Sequence, residues 1–209
     1  MTIEEKYHSL KVQFVHTLAK LLIFNEWNDK LLADTETECG FVKGYCHIIF
    51  PEGIREIVDF FESWQDQKML ELLSQQETPI KIRDKIDLAL KIRIKDGIAK
   101  LVHLRNRSYF AVPSNSIFAT KTAFRTCDLI WRYAGDKSID YNYYTKRGLL
   151  LSVYITSILY YIQDESEDNI DTDKYITKSL SNIITISSKC KNMLKLPNPV
   201  DIPIIRLFL

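Results

Sequence analysis

The sequence predicts an all-α protein built as a single helical domain. Its 209 residues include only 6 Gly and 6 Pro, too few to punctuate a fold of many short strands. Hydrophobic residues make up 46% and charged residues 26%, as is typical of a folded chain with a filled core. Along each long segment the apolar residues recur every three or four positions, which is the spacing of one helix face. The length suits one core, so one helical domain is expected.

The first two helices are predicted from an apolar stripe and a capping residue. The stripe ends near Asn25 and consists of Val12, Val15, Leu18, Ala19, Leu22 and Ile23. Asn28 or Asp29 then caps a second, short helix that runs to about Thr37, because either side chain accepts a hydrogen bond from the first helical turn.

Glycine and proline punctuate the next four helices. A turn at Gly40 precedes a third short helix over residues 42–49, and Pro51 is expected in the first turn of a longer fourth helix. Thr78-Pro79 is a cap and first-turn signal for the helix that follows, and Pro113-Ser114 opens another. Each of the last three helices has an apolar face. In the helix after Pro51 it contains Ile54, Ile57, Phe61 and Trp64, and in the helix after Pro79 it contains Ile82, Ile86, Ala89 and Leu90. In the helix after Pro113 it contains Ile117, Phe124, Cys127 and Trp131.

The last two helices are predicted to be long. Ala134-Gly135-Asp136 ends the preceding helix, and the apolar run over residues 148–162 is shorter than the ~20 residues that span a bilayer. We therefore expect a helix buried on every side, in the core or in a subunit interface. A final helix is expected from Thr172 to about Leu194, followed by an apolar tail over residues 196–209.

The stretch from Cys39 to Phe50 reads CGFVKGYCHIIF. It resembles, without a gap, the helix-turn-helix of the TetR family, in which A-G-V-S-K-G-T-L-Y-x-x-F is typical. The residues that serve the fold match, namely Gly40, Gly44 and Phe50, and Trp27 falls where the family has an aromatic residue. The alternative is a generic three-helix cluster with a chance similarity.

The positions that face DNA in that family do not match. Val42 and Tyr45 replace small hydroxyl residues, and Ile48-Ile49 replaces a polar pair. Base edges are read by donors and acceptors and phosphates by Lys or Arg, and Lys43 alone falls short of the ~6–10 phosphate contacts of an ordinary DNA-binding protein. The formal net charge is only +1. We interpret the segment as a vestigial helix-turn-helix and expect no nucleic-acid partner.

Residues 131–168 read WRYAGDKSIDYNYYTKRGLLLSVYITSILYYIQDESED. The beginning resembles the signature of the Coq-nine family of ubiquinone-biosynthesis proteins, W-x-Y-A-G-D-x-S-x-D-F-N-W-Y-T-x-R. Tyr141 and Tyr143 stand in place of the family's Phe and Trp. The matching residues are Trp131, Tyr133, Ala134, Gly135, Asp136, Ser138, Asp140, Asn142, Tyr144, Thr145 and Arg147, with Tyr154, Thr156, Gln163 and Asp164 further on.

This resemblance implies a fold and a function. The fold would be TetR-like, with a vestigial helix-turn-helix over residues 8–50 and lipid-binding and dimerisation helices over residues 52–195. The protein would form a homodimer through its last two long helices and bind an isoprenoid or a phospholipid in a hydrophobic pocket. A surface around the signature would dock the di-iron hydroxylase that acts on demethoxyubiquinone.

Two sets of site residues follow. We expect the docking surface to consist of Asp136, Asp140, Asn142, Tyr143, Tyr144 and Arg147, since Tyr and Arg are frequent interface anchors. We expect the lipid pocket to be lined by Ile117, Phe124, Trp131, Leu149, Val153 and Leu159. Two structural alternatives stay open, a helix N-terminus capped at Asp140 and apolar stripes that simply pack.

Catalytic and metal-binding motifs are scarce. Glu5 and His8 form a single Glu-x-x-His, whereas a di-iron bundle needs this motif twice. The remaining histidines, His16, His47 and His103, have no partner at ligand spacing. We therefore predict a protein without catalytic residues, metal or cofactor: a lipid-binding accessory protein that presents a ubiquinone precursor to the hydroxylase. The alternative is a TetR-type ligand-responsive transcriptional repressor.

The beginning of the sequence and its cysteines suggest a location. MTIEEKYHSL is acidic and polar, unlike a secretory signal or an import leader. Cys39, Cys46, Cys127 and Cys190 are dispersed, as expected for reduced thiols. We expect a bacterial cytoplasmic protein, with peripheral contact at the inner membrane as one role for the apolar residues 202–209; the other roles are to contact a neighbouring subunit or to cover the core.

Overall fold

The computed structural model describes residues 2–77, 79–139 and 141–191, with the side chains of Tyr141 and of residues 184–191 outside this description. Nine α-helices and no strand are found in these ranges, which confirms the all-α fold. A π-helical turn (Ile92–Asp96) follows α5, and 3₁₀ turns precede α7 and α9. The helices are α1 (Ile3–Leu21), α2 (Asp29–Glu38), α3 (Cys46–Ile49), α4 (Ile54–Ser74), α5 (Ile82–Lys91), α6 (Lys100–Ala111), α7 (Ser116–Tyr133), α8 (Tyr141–Gln163) and α9 (Ile170–Lys191).

The short front helices begin and end where capping residues and glycines place them. Asn28, rather than Asp29, caps α2, and its Oδ1 accepts a hydrogen bond from the Leu31 N–H at 2.9 Å. The predicted third helix over residues 42–49 is shorter in the structure because Gly44 has a φ of +84°, which an α-helix does not allow.

Two predicted helix starts are each wrong by three residues. Pro51 precedes α4 rather than opening it, because Gly53 has a φ of +69° and the helix begins after it. Likewise Pro79 lies before α5, whose N-cap is Lys81, and Thr78 lies outside the described residues. The predicted end of α7 is confirmed by the φ of +91° at Gly135.

Two large hydrophobic clusters and one small cluster are found among the described residues, and α4 contributes to all three. Ile57 and Phe61, near its beginning, pack in the front cluster with α1, α2 and α3. Met69 and Leu73, near its end, pack in the rear cluster with α5, α7, α8 and α9. The continuous helix joins the two clusters.

The core of this chain does not bury residues 148–162 on every side, and the alternative, burial in a subunit interface, stays a prediction. One face of α8 is exposed in this chain, and the side chains on it are Gly148, Ser152, Thr156, Leu159 and Tyr160. The opposite face, with Val153 and Ile158, packs in the rear cluster. Of the helices described, none has the length and apolar character to cross a membrane.

The last helix begins beside a capping carboxylate. Asp164 Oδ2 accepts hydrogen bonds from the backbone N–H of Thr172 at 2.8 Å and from its hydroxyl at 2.5 Å. These two bonds tie the beginning of α9 to the end of α8. The helix begins at Ile170, two residues before the predicted start at Thr172. The predicted helix end at Leu194 and the tail over residues 196–209 lie outside the described residues.

Candidate functional site

An apolar cavity of about 300 Å³ lies among α5, α7, α8 and α9. Its walls are mostly aliphatic, with the indole of Trp131 as their aromatic member and Arg83 and Lys146 as their charged members. Such a cavity suits a small apolar ligand or one end of a larger one. The remaining lining residues are Ile82, Ile86, Leu149, Leu150, Leu180 and Ile183.

A second, polar pocket of about 620 Å³ lies where α7 ends and α8 begins, and we call it the signature pocket. It contains most of the residues that the sequence predicted for partner docking. Its lining consists of Phe124, Arg132, Asp136, Lys137, Ser138, Ile139, Tyr143, Tyr144 and Arg147.

Arg147 lies beneath the signature pocket and is only 1% exposed. Its Nε donates to Asp128 at 2.6 Å and its Nη1 to Asp136 at 3.0 Å. The guanidinium carbon lies 3.6 Å from the ring centroid of Tyr143, a close cation–π contact. The expectation that Arg147 anchors a partner directly is therefore wrong for this conformation, because the side chain is buried and holds Tyr143 in place.

Asp136 also points inward. Its carboxylate accepts hydrogen bonds from Lys146 at 2.6 Å and from the Ser138 hydroxyl at 2.8 Å, besides the one from Arg147. Partial burial raises the pKa of Asp136, but these three donors outweigh it and lower the pKa to about 2. Asp136 is therefore ionised at neutral pH and organises the signature loop.

The two tyrosines form the accessible part of the predicted docking surface. Tyr143 and Tyr144 are half-buried and meet edge to face, with ring centroids 5.0 Å apart. Phe124 of α7 lies 6.3 Å from Tyr143, and Asn142 is also half-buried. Asp140 lies outside the described residues, so its predicted roles in docking and capping stay predictions.

The apolar cavity and the signature pocket share a wall. At the end of α7, Trp131 lines the cavity and the next residue, Arg132, lines the pocket. At the beginning of α8, Lys146 lines the cavity and Arg147 lines the pocket. Consecutive helical residues point about 100° apart, so each pair reaches both sites. The indole N–H of Trp131 donates to the Lys146 carbonyl at 3.1 Å and joins the two helices at this wall.

The six side chains predicted to line a lipid pocket do not share one cavity. Trp131 and Leu149 line the apolar cavity, whereas Phe124 lines the signature pocket and Val153 packs in the rear cluster. Leu159 is 49% exposed because ten residues turn a helix by about 1000°, which leaves it roughly 80° from Leu149. The last of the six, Ile117, is 61% exposed in the first turn of α7.

Arg83 lines the cavity and does not pair with Asp87, one helical turn further along α5. Asp87 pairs instead with Lys91, with an N–O distance of 2.5 Å. Arg83 turns instead to α9, where it donates to the Thr177 carbonyl at 3.4 Å and to the Ser181 hydroxyl. Both of these acceptors are uncharged.

A buried ion cluster around Arg93 was missed by sequence reasoning. Arg93 stands in the π-helical turn, is 1% exposed, and donates to Asp66, Gln65 and Glu62 of α4 at 2.7–2.8 Å. The available signal was the pair Glu62 and Asp66, which lie one turn apart on the apolar face that contains Phe61. Two carboxylates on a core face require a buried cation.

The helix-turn-helix segment presents apolar side chains where DNA would bind. Val42 is 72% exposed and Ile48 is 62% exposed, while Ile49, also predicted on this face, is fully buried. The carboxylate of Glu36 accepts hydrogen bonds from the N–H groups of Gly44, at 3.0 Å, and Cys46, at 2.7 Å. A carboxylate of the chain itself therefore occupies the N–H groups at and just before the beginning of α3.

The buried histidine serves packing. The His103 Nε2 lies 2.9 Å from the Ile94 carbonyl, and burial, together with Arg93 and Arg107, lowers the pKa of His103 to about 3. The ring is therefore neutral at physiological pH. Within the described ranges no group of three His, Cys, Asp or Glu side chains is placed to hold a metal ion.

Comparison with known proteins bears out the resemblance predicted from the signature. A family model described as COQ9 matches residues 117–187. The chain is 30% identical over 132 residues to the ubiquinone biosynthesis protein COQ9-A, mitochondrial, of Xenopus laevis, covering 62% of this chain and 40% of that protein. It is 23% identical over 205 residues to the ubiquinone biosynthesis protein COQ9, mitochondrial, of Homo sapiens, covering 91% and 63%. The chain thus spans less than two thirds of the length of these relatives.

A solved structure confirms the TetR-like fold. The TetR transcriptional regulator from Nitrosomonas europaea ATCC 19718 superposes with a TM-score of 0.67 at 17% sequence identity. The match covers 84% of this chain and 98% of the regulator. At this identity the likeness concerns the fold alone.

The expected location is wrong. The sequence suggested a bacterial cytoplasmic protein at the inner membrane face, whereas the similar proteins are named as mitochondrial proteins of eukaryotes. Besides those of Xenopus laevis and Homo sapiens, they include the probable ubiquinone biosynthesis protein coq9, mitochondrial, of Dictyostelium discoideum, 24% identical over 84% of this chain and 60% of that protein.

Proposed function

We propose that this Coq-nine relative is a non-enzymatic accessory protein of ubiquinone biosynthesis. It binds an isoprenoid precursor of the demethoxyubiquinone type in the apolar cavity. It docks the di-iron hydroxylase on the signature pocket and presents the precursor to that enzyme. The names of the similar proteins support the pathway, and the lipid and the hydroxylase are our inference from the two sites.

The observation that carries this proposal is the wall shared by the cavity and the signature pocket. Lys146 lines the cavity and the next residue, Arg147, lines the signature pocket. Only this wall therefore separates a ligand in the cavity from a partner bound over Tyr143. A precursor whose tail occupies the cavity therefore has its head group near the docked enzyme. Such positioning accelerates a reaction without contributing a catalytic group.

The aromatic pair supports the docking half of the proposal. Tyr143 and Tyr144 offer large, rigid, half-buried surfaces with polar ends, which are typical interface anchors. Arg147 fixes Tyr143 from below, so little side-chain freedom is lost when a partner binds. Replacement of the family's Trp by Tyr143 keeps the aromatic contact.

The exposed face of α8 supports the expected homodimer. Leu159 is 49% exposed, and beside it the rings of Tyr160 and Tyr175 stack at 4.5 Å between centroids. This face joins α8 to α9, the pair through which the family resemblance implies dimerisation. Light scattering on the native protein and on Leu159→Glu tests it: we expect a dimer for the former and a monomer for the latter.

Docking is tested by co-purification with the hydroxylase of the same organism. We expect Tyr143→Ala and Tyr144→Ala to weaken binding by about tenfold or more, since aromatic anchors contribute at least ~1.4 kcal/mol each. Phe24→Ala is the matched control, because this aromatic side chain is 81% exposed in the front region. Equal binding by the tyrosine variants and the control would refute docking at the signature pocket.

The lipid is tested by mass spectrometry of an organic extract from freshly purified native protein. We expect an isoprenoid in stoichiometric amount. An extract free of lipid from monodisperse protein would count against the carrier role and leave docking to be judged by co-purification.

The alternative repressor function is tested by DNA binding at several salt concentrations. A repressor's affinity falls steeply with salt, because each phosphate contact releases a counterion. With Val42 and Ile48 exposed and Glu36 capping α3, we expect no such dependence. Tight, salt-sensitive binding to duplex DNA would overturn the proposed function.

A further inference from the structure

The apolar cavity is small for a lipid. Its volume of about 300 Å³ is roughly twice the ~150 Å³ of a cavity that holds one benzene ring. It therefore accommodates on the order of ten to twelve carbon atoms, or about two isoprene units, in the conformation described. A longer tail must leave the cavity part of the way along its length.

The two cations of the cavity differ in their availability to a ligand. Lys146 is occupied, because its ammonium group donates to Asp136 at 2.6 Å and to Ser138 at 2.8 Å. Arg83 has only the uncharged acceptors Thr177 and Ser181 in the hydrogen bonds described, and Asp87, one helical turn away, is paired with Lys91. Arg83 thus retains positive charge at the margin of an apolar cavity.

We propose that this cavity binds the first ten to twelve carbons of a single-chain amphiphile whose anionic head group pairs with Arg83. The proposal rests on the lipid site of the proposed function and adds to its neutral precursor a second class of ligand, chains with a negatively charged head. Fatty-acid carboxylates and prenyl diphosphates share this chemistry. The apolar walls bind the chain, and the guanidinium selects the head through charge-assisted hydrogen bonds.

Binding is measured by quenching of tryptophan fluorescence with 11-bromoundecanoate, whose terminal bromine quenches a nearby indole. Trp131 lines the cavity, whereas Trp27 and Trp64 pack in the front cluster. We expect saturable quenching that Trp131→Phe abolishes. Unlabelled carboxylates should displace the probe, and their affinity should rise about fourfold per added methylene from eight carbons to about twelve, and then level off.

The head group is tested with matched ligands and matched variants. We expect Arg83→Gln to weaken undecanoate binding about tenfold and to leave its methyl ester unaffected. Arg83→Lys should retain most of the affinity. Lys178→Gln is the control, because Lys178 is an exposed cation on α9 outside the cavity lining. The comparison is repeated on an isoprenoid chain with geranyl diphosphate and the uncharged geraniol. The affinities of geranyl diphosphate and undecanoate then show whether a diphosphate or a carboxylate head binds more tightly.

The outcomes separate this inference from the proposed function. If a short-tailed neutral quinone displaces the probe as well as undecanoate does, and Arg83→Gln changes nothing, the anionic head is refuted while the isoprenoid role stands. If only anionic chains bind, the inference holds and the neutral precursor of the proposed function is refuted. If no ligand quenches Trp131, the cavity is not a lipid site, and docking of the hydroxylase is then judged by co-purification.

Discussion

Two buried arginines organise two regions of this molecule in similar ways. Arg93 and Arg147 are each 1% exposed, and each pairs with two carboxylates and lies over a tyrosine ring. The partners are Glu62, Asp66 and Tyr154 for Arg93, and Asp128, Asp136 and Tyr143 for Arg147.

The two regions differ in their access to solvent. The carboxylate side chains around Arg93 are 5% and 1% exposed, and those around Arg147 are 15% and 6% exposed. The carboxylates of both clusters also have second cations. Around Arg93 these are Arg107 and Arg125, at 3.5 and 3.8 Å, and around Arg147 they are Arg132 and Lys146, both at 2.6 Å, with side chains 66% and 37% exposed. The same chemistry therefore locks α4 to the π-helical turn in the core, and holds the signature pocket in shape where it reaches the solvent.

The largest effect is expected from Arg93→Met. Removing Arg93 leaves Glu62 and Asp66 buried with only the longer pairs to Arg107, at 3.5 Å, and Arg125, at 3.8 Å, and we expect a loss of about 3–5 kcal/mol of unfolding free energy. Burial already raises the pKa of Asp66, so this carboxylate will take up a proton, and the cost stays within that range. Urea unfolding at pH 7 measures it.

The control for this variant replaces the carboxylates as well. The triple variant Arg93→Met, Glu62→Gln, Asp66→Asn removes the uncompensated charges, and we expect it to regain at least half of the loss. A loss below about 1 kcal/mol in the single variant would show that the cluster is solvated and does not lock the core.

Arg147→Met is expected to cost less, about 2–3 kcal/mol, because Asp128 and Asp136 are more exposed and keep Arg132 and Lys146 at only 2.6 Å. Its larger consequence is at the surface, where Tyr143 loses the cation beneath its ring. We therefore expect hydroxylase binding to fall as far as in Tyr143→Ala. If binding stays intact while stability falls, Arg147 serves the fold alone.

The comparison also shows what the sequence could predict. Arg147 was found because it stands in a signature of closely spaced, uncommon residues, yet its burial was not predictable. Whether Arg147 faces the solvent depends on Asp128, which lies 19 positions earlier on α7. Arg93 was not found, because its partners lie about 30 residues away and no motif contains them. Local spacing identifies residues, whereas long-range packing decides their role.

The helices were predictable for the same reason, since periodicity and caps are local. Asn28 caps the beginning of α2 and Gly135 follows the end of α7, as expected. The exceptions lay at Pro51 and Pro79, where proline marked the approach to a helix but a residue further on set its beginning. The lining of the cavity was not predictable, because Leu149 and Leu159 share an apolar stripe but point to different surroundings.

A smaller effect is expected from Asp136, and it depends on pH. The folded-state pKa is about 2, below the ordinary 3.8, so ionised Asp136 stabilises the fold at neutral pH. This contribution is fully present above pH 3.8 and is lost as the pH falls towards 2. We expect Asp136→Asn to cost about 1–2 kcal/mol at pH 7 and roughly half as much at pH 3. Thermal unfolding across this range measures it.

The control for Asp136 is Asp171→Asn, which removes a surface pair with Lys174. Exposed pairs of this kind contribute little, so its unfolding should follow the unsubstituted protein at every pH. A constant difference between Asp136→Asn and the unsubstituted protein from pH 7 to pH 3 would contradict the ionised role of Asp136.

The smallest effect, and the one opposite in sign, is expected from Tyr154→Phe. Tyr154 lies by Arg93 as Tyr143 lies by Arg147, but its hydroxyl is buried and has no hydrogen-bond partner among the described residues. Burying an unpaired hydroxyl costs free energy, so its removal should leave stability unchanged or raise it by up to about 1 kcal/mol. Urea unfolding of the variant measures this difference. A loss above about 1 kcal/mol would mean that an internal water binds the hydroxyl, and the core cluster would then be hydrated.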